Sequence, residues 1–130
     1  MKGDDLAERL LEFAVRILHV VDALPKSVIG RNVGGQLARA GTAVGSHYEE
    51  ARGAESRADF IHKLGIAWKE LREARYWLRL TQKAQLVKPE LLEGLLQESN
   101  ELNAVLMQSI TTAKKNASNK SRSGKTLADP

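Results

Sequence analysis

Five cations, Lys69, Arg72, Arg75, Arg79 and Lys83, recur at three- and four-residue steps in the middle of the chain, with Trp68 beside them. On a helix they fall within about 120° of arc. Such a row can neutralise successive phosphates while an indole stacks on a base, which is the chemistry of nucleic-acid binding. The competing reading is internal pairing, because a later segment carries Glu90, Glu93, Glu98 and Glu101 and no basic residue before Lys114. Both readings follow from charge and spacing alone.

Other reactive groupings are sparse. Carboxylate-bridged di-metal bundles need two acidic-x-x-His pairs with further glutamates. Only Asp59-Phe60-Ile61-His62 has that spacing, and neither His19 nor His47 has a carboxylate three residues before it, so no metal site is expected. Glu49, Glu50, Glu70 and Glu73 are read as solvated helix faces, since a general acid would need a burial their surroundings do not announce. There is no cysteine, which excludes disulfides, thiolate nucleophiles and cysteine-ligated zinc. Neither a phosphate-binding glycine loop nor a nucleophile elbow occurs. No catalytic residue and no cofactor are expected, and the chain is read as non-enzymatic.

The elements that position the basic row are helices. Leu6, Leu10, Phe13, Ile17, Val20, Val21 and Leu24 share one face of a first segment that starts at Asp4 and stops before Pro25. A second helix, about 29–51, carries Val33, Leu37, Ala40, Val44, Tyr48 and Ala51 on its stripe, with Ser27 as N-cap. A third begins at Ser56, with Asp59 completing an acidic variant of the capping box, and runs to about Lys83 through Phe60, Leu64, Ala67, Leu71, Ala74 and Leu78. Pro89 opens the fourth, which carries Leu92, Leu95, Leu102, Leu106 and Ile110 and ends near Lys114. Four helices with short connections predict an antiparallel up-and-down four-helix bundle over residues 1–114, followed by a disordered basic tail over 115–130.

Two helices carry more than their own core face. Glycines in a helix interior each cost about 0.8–1.0 kcal/mol relative to alanine, so those of the second helix need an offset. Gly34, Ala38, Gly41 and Gly45 line up within about 60° and form a smooth groove suited to close approach of another backbone, either within the bundle or at a subunit or ligand contact. On the first helix Ala7, Leu11, Val15 and Leu18 add a second stripe that widens the apolar arc to about 220°, where one buried face needs little over 100°. The surplus predicts self-association through Leu11, Val15 and Leu18.

The 130 residues suit one core. The formal charge of +4 is that of the terminal stretch, where Lys114, Lys115, Lys120, Arg122 and Lys125 face Asp129 alone. The body then carries 15 basic and 15 acidic side chains. No apolar run approaches a secretory signal or a membrane span, so a soluble cytoplasmic protein is expected.

The stretches Gln36–Ala51 (QLARAGTAVGSHYEEA) and Ser56–Leu78 (SRADFIHKLGIAWKELREARYWL) resemble the bacterial four-helix-bundle family named after proteins encoded in intervening sequences of 23S ribosomal RNA genes. With the first helix and Leu24-Pro25-Lys26-Ser27 the resemblance covers about residues 6–112. It implies an up-down bundle assembled as a ring-like homopentamer. It also implies kinship with the accessory proteins of diversity-generating retroelements, similar bundles that associate with a reverse transcriptase and nucleic acid. The family has no established catalytic residues, and its name records where some members are encoded rather than a ribosomal role.

Overall fold

The computed structural model describes residues 3–128, with side chains over 3–119. Four helices, α1 (Asp4–Ala23), α2 (Val28–Arg52), α3 (Arg57–Lys83) and α4 (Glu93–Ala128), follow one another, with a single 3₁₀ turn at Pro89–Leu91 before the last. Each packs on the next, and α1 closes back on α4 along a shorter seam. The sense alternates. Gly34 of α2 meets Val21 of α1 and Leu24 just past its end, while Gly45 meets Leu10. Trp68 of α3 bonds Asn103 of α4, and Arg75, two turns on, bonds Asn100. Arg9 near the start of α1 bonds Glu98 of α4. The all-α, up-down-up-down bundle is the architecture that the periodicity predicts.

Its core is the set of stripes read from the sequence. Leu10, Phe13, Ile17 and Val20 of α1 meet Leu37 and Val44 of α2, Leu64, Leu71 and Leu78 of α3, Leu92 just before α4, and Leu95, Leu102 and Leu106 of α4. Leu6, Val21, Phe60 and Ile110 pack at its margin. Thr81 and Ser99 are buried among these aliphatics without an orphaned hydroxyl, because each donates back into its own helix, to Trp77 O at 2.8 Å and to Leu96 O at 2.7 Å.

Both serine caps form: Ser27 Oγ accepts from Gly30 N and Ser56 Oγ from Asp59 N, each at 3.1 Å. Asp59 reaches one residue further out than a capping box would take it, accepting from Glu55 N at 3.4 Å. α3 ends in a Schellman turn, with Gln85 at φ 54°, Leu86 N bonded to Thr81 O and Gln85 N to Gln82 O.

The expected boundaries of the fourth helix need correction at both ends. Pro89 opens the 3₁₀ turn, and α4 itself starts at Glu93, followed at once by Gly94. At its other end α4 does not stop near Lys114 but continues to Ala128, so the 114/115 division falls inside a continuous helix. The stretch lacks apolar periodicity and mixes good helix formers, lysine, arginine and alanine, with poor ones such as Asn116, Ser118, Asn119 and Gly124, yet it holds no proline before residue 130. Of that extension, the side chains beyond Asn119 lie outside the described residues.

The glycine groove packs on α1. A Cβ at Gly41 would stand 2.7 Å from both Cγ atoms of Ile17, one at Gly45 3.4 Å from Leu10, and one at Gly34 3.3 Å from Val21. Ala38, half-buried, continues the same row. Gly30, which the sequence did not single out, is the tightest position, since a Cβ there would collide with the Pro25 carbonyl. Gly35 faces open space.

Candidate nucleic-acid interface

α3 positions the basic row, and α4 decides whether it is neutralised. On α4, Glu98 and Glu101 project about 200° away from Asn100 and Asn103, two residues on in each case. The glutamates face α1: Arg9 donates to Glu98 through Nε at 2.8 Å and Nη2 at 2.7 Å, and Nη2 reaches Glu101 at 3.3 Å. That fork holds the Arg9 guanidinium above its usual pKa. The amides face α3, where Asn103 Oδ1 accepts from Trp68 Nε1 at 2.8 Å and Asn100 Oδ1 from Arg75 Nη2 at 2.5 Å. α4 therefore gives α3 neutral acceptors, while its Glu98 and Glu101 turn to α1.

The acids of α3 itself are likewise committed. Glu70 accepts from Arg39 of α2 at 3.0 Å, and Glu73 pairs with the same guanidinium. Among the described residues, Lys69, Arg72, Arg75, Arg79 and Lys83 have no carboxylate within ion-pairing distance. The row is thus a continuous unneutralised strip. Arg72, Arg75, Arg79 and Lys83 border a shallow open cleft, and Arg75 and Arg79 also line its continuation towards Gln82, Leu96 and Asn100.

Trp68 does not stand in that strip as a free stacking platform. Its indole is half-buried against the core, its N–H is used by Asn103, and the Arg72 guanidinium lies 4.9 Å from its ring centroid. Helical spacing placed it on the basic side of α3 without revealing that this edge abuts α4. The exposed aromatic of the strip is Tyr76, 58% accessible, in the cleft with Arg72, Arg75, Arg79 and Lys83. Its signal was available, since the steps 69, 72, 76, 79, 83 put it in the same row.

The second candidate surface is as expected from its spacing. Leu11, Val15 and Leu18 are 58%, 45% and 45% exposed on the side of α1 turned from the core. Ala7 and Leu11 border a groove along α2 that also takes in Ala14, Thr42 and Gly45.

Several other titratable groups are tied into the scaffold. Lys63 Nζ lies 3.1 Å from Asp59 and, with the Glu55 amide, holds this carboxyl below its usual range. His47 Nδ1 lies 3.4 Å from Glu50, and Glu49 accepts from Arg52 at 3.0 Å. Burial pushes the Tyr48 hydroxyl upward; it donates to Gly3 O at 3.2 Å, and Arg52 pairs with Asp4, so the start of α1 is fastened to the end of α2. Among the described residues no three histidines or carboxylates converge as a metal site would require. No helix is long and apolar enough to cross a membrane among the described residues.

Fold and site together define an all-α bundle with an unneutralised basic face on α3 among the described residues. The chain belongs to the 23S rRNA-intervening sequence protein family, whose profile it matches over residues 5–108. It is similar to a crystal structure from Bacteroides thetaiotaomicron, a protein of unknown function from the S23 ribosomal protein family, at 38% identity and a TM-score of 0.72. The likeness covers 80% of this chain and 96% of that one. No curated protein gives a significant match.

Proposed function

We propose that this protein is a non-enzymatic, homo-oligomeric bundle that binds nucleic acid, alone or within a nucleoprotein, through the exposed face of α3. The observation that carries the reading is the disposition of carboxylates: Glu98 and Glu101 bind Arg9, Glu70 and Glu73 bind Arg39, and the α3 row is left to an outside anion. Phosphate is the anion that suits a row of this length, because Arg72, Arg75 and Arg79 offer forked donors along a strip rather than around a pocket. The resemblance to ring-forming relatives supports a pentamer, in which five such faces would act together, and supports a reverse transcriptase or similar nucleoprotein as partner in the cytoplasm.

Binding through this row is electrostatic, so affinity must fall as salt rises. With all five cations engaged the slope of log K against log salt approaches about −3.5 for a single strand and about −4.5 for a duplex. Reversing Arg72, Arg75 and Arg79 together to glutamate is expected to weaken RNA or DNA binding at least tenfold with helicity unchanged by circular dichroism. A salt-independent affinity, or a triple variant that binds like the parent, refutes the reading. The apolar stripe Leu11–Val15–Leu18 favours a second reading, an oligomeric scaffold that recruits another protein without touching nucleic acid. A specific protein partner retained after nuclease treatment, together with no measurable RNA or DNA affinity, would decide for it.

A further inference from the structure

The α3 strip is more than a run of charge, because an aromatic ring stands at its centre. We propose that the face selects unpaired strands over duplex, with Tyr76 as the platform on which one exposed base stacks; this rests on the nucleic-acid reading above. Tyr76 lies four residues after Arg72 and three before Arg79, the two spacings at which side chains neighbour one another along a helix. Arg72, Arg75, Arg79 and Lys83 share its cleft. A base laid on the ring would therefore have its flanking phosphates between guanidinium groups on either side.

The ring is also held. It meets Trp77 edge to face, with centroids 5.1 Å apart and planes at 83°, and Trp77 itself packs against the core. Tyr76 is consequently an exposed aromatic surface on a braced mount, which loses little side-chain freedom on binding. From Lys69 to Lys83 the strip extends about 21 Å, the rise of about six stacked nucleotides in one strand. The discrimination follows from access. A base inside a duplex has both faces covered by its neighbours and offers the ring nothing, whereas any unpaired base presents a π face. Phosphates of either form can meet the arginines; only a single strand can meet the tyrosine as well.

The test compares a 12-nucleotide unstructured RNA with the same strand in a 12-base-pair duplex, by fluorescence anisotropy at one fixed salt concentration, on the full chain. The single strand is expected to bind at least tenfold tighter. Tyr76→Ala should weaken single-strand binding about 5- to 150-fold, the range observed when a stacking aromatic is truncated, and leave duplex binding within twofold. Tyr76→Phe, which keeps the ring and drops the hydroxyl, should stay within threefold of the parent. If single strand and duplex bind equally and Tyr76→Ala changes neither, the inference is overturned while the basic-row reading stands. If neither form binds the parent protein, both fall. A Tyr76→Ala protein whose mass by light scattering differs from the parent's would place the ring in a contact between copies and also overturn the inference.

Discussion

At the scale of single residues the glycines of α2 divide cleanly by what surrounds them. Every interior helical glycine sacrifices about 0.8–1.0 kcal/mol relative to alanine, so each is justified only where a Cβ has no room. At Gly41 an added Cβ would press on both branches of Ile17, a side chain that is fully buried and branched next to its own backbone, so it cannot swing aside. Gly41→Ala is therefore expected to destabilise the protein by about 1–3 kcal/mol, the usual cost of overpacking a closed contact. At Gly35 and Gly65 nothing lies within 4 Å, and Gly35→Ala and Gly65→Ala should each stabilise by about 0.5–1 kcal/mol. Urea unfolding of the three variants at one protomer concentration measures the contrast, and a Gly41→Ala protein as stable as Gly35→Ala would show that α1 does not approach α2 as described. The groove itself was legible because four small residues fell on one line. Which of its members were indispensable was not, since helical spacing says where a residue points on its own helix and nothing of what the neighbouring helix brings there. Gly30 escaped notice for the same reason: its constraint is the returning backbone at Pro25, a turn geometry with no periodic signature. Trp68 is a related case, because its bearing on α3 does not reveal that α4 takes the indole N–H.

At the scale of elements, helix starts were the most readable features and helix four the least. Serine followed by an apolar-periodic run marks a start through a local bond, donated by an amide three residues on to the serine oxygen, that needs no tertiary partner. Ser27→Ala and Ser56→Ala should accordingly each cost about 1 kcal/mol, whereas glycine at either position should cost only a few tenths. Thermal unfolding resolves this, since 1 kcal/mol in a chain of this size moves Tm by about 3–6 °C. Equal melting temperatures for the alanine variants and the parent would deny the caps any energetic role. Asp59 adds a pH signature to the α3 start. Its carboxyl is held below the usual range chiefly by Lys63, so its stabilising contribution is present above the ordinary carboxylate pKa and is lost as pH falls through the depressed value. Helix four lacks such punctuation. Its entry is split between a proline-led 3₁₀ turn and an α-helix with glycine at its second position, and beyond Lys114 the polar residues neither break a helix nor supply a face that demands one. Apolar periodicity shows where a helix is buried; it does not show where an exposed helix stops.

At the scale of the whole molecule, the bundle satisfies its core and still leaves an aliphatic stripe in water. Leu11, Val15 and Leu18 occupy successive turns of α1, and Val28 and Ile29, also exposed, begin α2 just past the end of that helix. Isolated exposed leucines are ordinary in soluble proteins, whereas a continuous row on one helix marks an interface. The basic α3 face belongs to another helix, so assembly through α1 and nucleic-acid contact through α3 would use distinct surfaces. The assembly is tested by size-exclusion chromatography with light scattering, in which the pentamer proposed from the resemblance has a mass five times that of the 14.3 kDa chain. Val15→Glu combined with Leu18→Glu places two carboxylates in the centre of the stripe. Both side chains are nearly half exposed in the single bundle and lie outside its buried core, so the variant should keep its helical circular dichroism spectrum while its mass falls to that of one chain. A parent protein that is monomeric at high micromolar concentration, or a double variant of unchanged mass, would remove α1 as the assembly surface. If the ring forms and the double variant dissolves it, nucleic-acid affinity should fall as well, because five weakly binding α3 faces held in one particle gain by effective concentration what a lone face lacks. A monomeric variant that binds RNA as tightly as the parent would instead confine recognition to a single α3 helix.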